Sequence, residues 1–157
     1  MKYLILLLLL STTFVLAKAQ DNPPQATSPV ENLPGTSALP KDIIGISSEF
    51  FKLMMSGNSD QAFQRLFKNS PMADNKTLTT QIIDQAKKAE QIYGIIKGFE
   101  RVGEESLTES FIRLRYISLH DKYPLRWVFT FYKSPTRGWI VTNVKFDDDS
   151  EYFFSKE

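Results

Sequence analysis

A chain of 157 residues, 24% charged and 42% hydrophobic, has room for one globular domain and a short extension. It holds no cysteine, which excludes disulfides, thiolate catalysis, cysteine zinc sites and a lipidated N-terminal cysteine. The formal charge of +1 becomes −1 once a leader carrying Lys2 and Lys18 is removed, leaving 17 basic against 18 acidic residues, so general nucleic-acid binding is not expected.

The leader is read from residues 1–19. A leucine-rich run follows Lys2, and Ala17-Lys18-Ala19 is an A-x-A cleavage pattern. Ser11-Thr12-Thr13 breaks the apolar run before it reaches the roughly 20 residues a membrane span needs. A signal peptide is therefore expected, with a secreted or periplasmic product and no stable membrane span after cleavage. Residues 20–41 carry Pro23, Pro24, Pro29, Pro34 and Pro40 among polar residues. Such a segment buries little and donates few hydrogen bonds, so it reads as a disordered linker.

One domain is expected over residues 42–154. Ile43, Ile46, Phe50, Leu53 and Met54 recur at helical spacing until Ser56-Gly57-Asn58. A short second helix over residues 60–68 places Ala62, Phe63, Leu66 and Phe67 on one face. Asn75-Lys76-Thr77 is a glycosylation sequon, and Thr77 is placed to cap a third helix bearing Leu78, Ile82, Ala86, Ala89 and Tyr93. Gly94 is its stop.

From there the period changes to two. A first strand is expected over residues 95–102, a turn-rich connection over 103–109, and three longer strands centred on Leu125-Arg126-Trp127-Val128-Phe129-Thr130-Phe131-Tyr132. Helices followed by a strand meander make an α+β architecture, with N-terminal helices packed on a curved four-stranded antiparallel sheet. The expected register sets Tyr116 opposite Phe129, Leu114 opposite Phe131, Phe131 opposite Ile140, Phe129 opposite Thr142 and Trp127 opposite Val144. The inner face is then Ile112, Leu114, Tyr116, Leu125, Trp127, Phe129, Phe131, Ile140, Thr142, Val144 and Phe146. The outer face mixes Arg113, Arg115 and Arg126 with Ile117, Val128, Tyr132, Trp139 and Val141. Charge is segregated: residues 111–145 hold seven basic residues and one acidic residue, whereas Asp147-Asp148-Asp149-Ser150-Glu151 is acidic.

Tyr93-Gly94, Leu114-x-Tyr116, Pro124-Leu125-x-Trp127-x-Phe129-x-Phe131-Tyr132 and Gly138-Trp139 resemble small secreted bacterial domains of the nuclear-transport-factor-like and ketosteroid-isomerase-like superfamily. The resemblance covers roughly residues 42–149 and implies a cystatin-like roll. That superfamily holds enzymes, carriers and assembly modules, so fold analogy assigns no activity. Its enzymes place an acid, a histidine or tyrosines inside the roll. Here the expected inner face offers only Tyr116 and Thr142 as polar groups, with Glu49 and Asp84 the nearest helix carboxylates.

His120 is the only histidine. It is read as a solvated turn residue without catalytic duty, because adjacent Asp121 would point away from it on an extended chain. Asp147-Asp148-Asp149 lacks the glycine-turned spacing of a calcium loop. No dinucleotide, phosphate-loop, zincin or nucleophile-elbow motif is present, and no metal or cofactor is expected. The expected function is a secreted or periplasmic, non-catalytic interaction or ligand-binding module. The alternative is a small-molecule enzyme or carrier using the cavity between helices and sheet, lined by Tyr93, Tyr116, Trp127 and Thr142. A homodimer through Arg113, Arg115, Arg126, Tyr132 and Trp139 is one expectation, these being residue types that interface centres favour; the alternative is a monomer whose tail Tyr152-Phe153-Phe154 folds back over that face. The other partners considered are an envelope protein or a small apolar ligand, and not nucleic acid.

Overall fold

The computed structural model describes residues 39–149 together with Glu151, Phe153 and Phe154. The expected leader and most of the linker lie outside the described residues. Three helices, α1 (Lys41–Met55), α2 (Ser59–Leu66) and α3 (Lys76–Tyr93), precede four strands, β1 (Gly98–Thr108), β2 (Phe111–Leu119), β3 (Leu125–Ser134) and β4 (Gly138–Asp147). The strands form one open antiparallel sheet in the order β1-β2-β3-β4. The expected α+β architecture is the one found.

Each helix forms for a local reason. In α1 the buried residues Ile43, Ser47, Phe50, Phe51 and Met54 repeat at three and four positions, giving one apolar stripe. Ser47 is tolerated inside it because its hydroxyl donates to Ile43 O at 2.9 Å. Helix α2 buries Ala62, Phe63 and Leu66. It spans Ser59–Leu66 rather than residues 60–68. Helix α3 is capped by Asn75, whose side chain accepts from Leu78 N at 3.1 Å, so the sequon asparagine, not Thr77, is the cap.

The sheet departs from the expected pattern in three places. Strand β1 runs through Thr108 instead of ending at Val102. Its charged residues, which read as a turn, find partners: Glu104 takes Arg101 at 3.0 Å and Glu105 takes Arg113 at 3.2 Å. A bulge between Arg101 and Gly103 absorbs the break in alternation. Between β2 and β3 the register is shifted by two residues, with Tyr116 opposite Trp127 and Leu114 opposite Phe129. A shift of two preserves the faces. The hairpin connection is pinned to the end of α3, where Lys122 N donates to Tyr93 O at 3.2 Å, so tertiary bonding enters the register along with the turn.

The third departure moves side chains between faces. Trp127 lies opposite Phe146 and Phe129 opposite Val144, but a bulge then sets Phe131 against Val141 and Tyr132 against Ile140. Thr142 is the extra residue. Beyond it the alternation of β4 inverts. Val141 is fully buried in the core and Trp139 packs against it, while Thr142 is exposed. The expected inner positions of Ile140 and Thr142 and outer positions of Trp139 and Val141 are thereby corrected. Ser70 secures the bulge by donating to Val141 O at 2.5 Å.

The core lies between helices and sheet and is mostly aromatic. Phe50 contacts Phe51, Phe63, Trp127 and Phe129 edge-on at 5.1–5.4 Å between ring centroids. Trp127 stacks on Phe146 at 4.5 Å. Such pairs contribute about 0.5–1.5 kcal/mol each beyond area burial. Trp127→Ala is accordingly expected to cost about 3–5 kcal/mol in denaturant unfolding. A loss below about 1 kcal/mol would contradict the packing described.

Candidate functional site

The residues proposed to line an interior cavity do not share one. Tyr116 and Trp127 are closely packed among Phe50, Phe51 and Phe129 and are almost fully buried. Thr142 is on the opposite face, where its hydroxyl donates to Thr130 O at 3.2 Å. Tyr93 sits at the surface. Burial raises the Tyr116 phenol above its ordinary pKa, against the opposing effects of Ser47 and Arg101.

The inner side of the sheet holds polar groups beyond Tyr116. The bulge in β1 brings Arg101 and Glu104 to positions opposite Tyr116 and Leu114, where they form a largely shielded ion pair. The Glu104 carboxylate is thus engaged by Arg101 rather than by Tyr116. That is not the carboxylate–tyrosine pair of an interior acid catalyst. Ser118 is the second addition. It is fully buried opposite Leu125, and it continues the alternation Ile112, Leu114, Tyr116.

Ser118 belongs to a chain that overturns the reading of His120 as a solvated turn residue. Trp127 Nε1 donates to Ser118 Oγ at 2.8 Å, Ser118 Oγ lies 2.9 Å from His120 Nε2, and His120 Nδ1 lies 2.6 Å from Gly94 O. A carbonyl only accepts, so Nδ1 carries a proton and donates it to Gly94 O. Gly94 makes this possible: its φ of 94° closes α3 in the left-handed region, and a Cβ there would meet Asp121 Oδ2 at 3.3 Å. A serine hydroxyl bonded to a histidine is also the start of a nucleophilic site. Here the serine is fully buried and its oxygen accepts the indole proton, so the chain serves as a tie between sheet and α3.

Glu90, half-buried on α3, receives the Ser59 hydroxyl at 3.0 and 3.1 Å. Burial holds its carboxyl above the ordinary range, against the opposing effects of Ser59, His120 and Lys87.

Two surface grooves lie among the described residues. One, of about 390 Å³, is lined by Ile92, Tyr93, Lys122, Tyr123 and Asp148. There the Tyr93 hydroxyl donates to Asp148, which raises the phenol pKa, and Lys122 Nζ donates to Ile92 O at 2.9 Å. The bond to Asp148 draws the chain after β4 toward α3. In the tail, Phe153 is half-buried and Phe154 is 93% exposed, and Tyr152 lies outside the described residues.

The other groove, of about 420 Å³, lies on the outer sheet face between Arg113, Arg126 and Lys145. Arg113, Arg115, Arg126 and Tyr132 stay on that face, whereas Trp139 has moved to the core side. Glu105 holds both Arg113 and Arg115, and Asp147 holds Arg126 at 2.9 Å. Arg115 lies across β1, where a Cβ on Gly103 would come within 2.9 Å of its Nε. The glycine admits the guanidinium and so keeps it out of the groove. Compared with known proteins, the chain matches no family model, no curated protein and no solved structure.

Two outcomes follow from this bonding. Ser118→Ala orphans the Trp127 N–H, and unfolding should become easier by about 1–3 kcal/mol, the cost of one buried unsatisfied donor; an unchanged midpoint would show that the tie carries no stability. For Glu90 the folded pKa lies above the unfolded one. Its contribution is therefore present in acid and lost as pH rises through the folded value. Thermal unfolding of Glu90→Gln should gain on the wild type as pH rises above the ordinary glutamate range; a gap that stays constant or moves the other way contradicts the burial effect.

Proposed function

We propose that this protein is a non-catalytic binding module on a roll of the nuclear-transport-factor-like type, exported by the leader in residues 1–19 and working from its surface. The observation that carries this reading is the filling of the space between helices and sheet by Phe50, Phe51, Phe63, Trp127, Phe129 and Phe131. A ligand cavity needs concave space with a few convergent polar groups. The shielded polar groups here are paired to one another, as Arg101 with Glu104 and Ser118 with Trp127 and His120. Export is supported by the leucine run and the A-x-A pattern. Among the described residues no helix is long and apolar enough to cross a membrane.

A neutral apolar dye, Nile red, separates the surface reading from the interior carrier. The wild type should leave the dye unbound and tryptophan fluorescence unquenched, whereas Phe50→Ala, whose void is about the size of one ring, should take up benzene. Stoichiometric uptake of the dye by the wild type with quenching of tryptophan fluorescence would establish an interior site instead.

A further inference from the structure

The outer sheet groove carries a more specific inference, which rests on the surface reading above. Val128, nearly buried on β3, forms its floor and lies between Arg115 on β2 and Lys145 on β4. Adjacent strands are about 4.8 Å apart and same-face residues about 7 Å apart. Arg113, Arg126 and Lys145, one from each of three successive strands, therefore surround Val128 within about 10 Å. The first two are held in place, Arg113 by Glu105 and Arg126 by Asp147. An anion meeting these groups meets side chains already ordered, which lowers the entropic cost of binding.

Cations alone would describe a site for any anion. Two further features narrow the chemistry. Thr130, Thr142 and Asn143 place hydroxyls and an amide along the same groove, and these match hydroxyl groups rather than charge. At one end Phe111 and Tyr132, both more than a third exposed, bring their rings to 6.5 Å on the face. An exposed aromatic pair offers a shelf for the C–H face of a ring, amphipathic surface that partners use.

We propose that this groove binds an acidic glycan: carboxylates or sulfates at Arg113, Arg126 and Lys145, hydroxyls at Thr130, Thr142 and Asn143, and a sugar ring against Phe111 and Tyr132. An inorganic oxyanion would leave the shelf unused. An uncharged glycan would make no use of Lys145 or of the surplus of cations over Glu105 and Asp147 on this face. An acidic peptide lacks the rows of hydroxyls that the neutral groups fit. A single-stranded DNA would also use aromatics and cations, but it lacks the rows of hydroxyls that Thr130, Thr142 and Asn143 fit.

The test is calorimetric titration of the full exported chain with a galacturonate hexamer and a heparin hexasaccharide, the two arms distinguishing carboxylate from sulfate. Cellohexaose, hexaglutamate and a thymidine decamer serve as comparators. Saturable, salt-sensitive binding of an acidic hexasaccharide in preference to all three comparators is expected. Lys145→Glu should weaken it by about tenfold or more, the loss of one charge-assisted contact. Phe111→Ala should weaken the glycan without changing hexaglutamate. Lys122→Glu, in the other groove, should leave the affinity unchanged, and circular dichroism verifies folding of every variant. No binding to either acidic glycan, equal binding of hexaglutamate or the decamer, or indifference to Lys145→Glu would overturn the proposal. So would a dimer in sedimentation that Lys145→Glu dissociates, since the face would then be occupied by a second copy. Failure here with Nile red still excluded sinks only the glycan; uptake of Nile red by the wild type sinks the surface reading itself.

Discussion

Phe50 reaches down from α1 and meets rings from α1, α2 and β3 at one point. Its edge faces Phe51, Phe63, Trp127 and Phe129, all within 5.4 Å between centroids. Edge-on contact suits ring quadrupoles, and a cluster of such contacts leaves little room for adjustment. The depth at which the helices sit on the sheet follows from it. So does the register of β3, because Trp127 and Phe129 must alternate toward the same point. With the space between helices and sheet occupied in this way, the proposed binding chemistry falls on the outer face.

The polar end of Trp127 supplies the second constraint. An indole N–H in an apolar core costs several kcal/mol when left unpaired. Ser118, His120 and the Gly94 carbonyl carry its bond from the sheet to the end of α3. The same region is pinned again by Lys122 and by Tyr93 with Asp148. The ends of α3, β2 and β4 are thus joined by hydrogen bonds, while the helix-covered side of the sheet is joined by rings. Arg101 with Glu104 follows the same logic at the edge strand, where a charge on the inner face is tolerated because its partner is beside it.

The core of this architecture was legible because it depends on period alone. Alternation from Ile112 to Tyr116 and from Leu125 to Phe131 named the inner face of β2 and β3, and helical spacing named Phe50, Phe63 and Phe67. Ser118 was legible in the same way, as the next inward position, yet only the fold reveals what it bonds. Thr142 was not legible. A bulge inverts the face of everything after it, and no glycine or proline marks this one, so Trp139 and Thr142 exchanged roles. His120 was misread because its partner, Gly94, is distant in sequence and becomes adjacent only when the hairpin folds against α3. Strand β1 was shortened because Glu104 and Glu105 look like turn residues until Arg101 and Arg113 are set beside them.

The outer face gains its character from the same events. Moving Trp139 and Val141 inward leaves it less apolar, with arginines held by neighbouring carboxylates and with Thr142 and Asn143 exposed beside Lys145. The account therefore rests on the interior being closed. Xenon is the most direct probe of that, since it enters dry apolar cavities without needing a polar contact. Diffraction from crystals pressurised with xenon should show no ordered atom between α1 and β3. A bound xenon among Phe50, Trp127 and Phe129 would contradict the account.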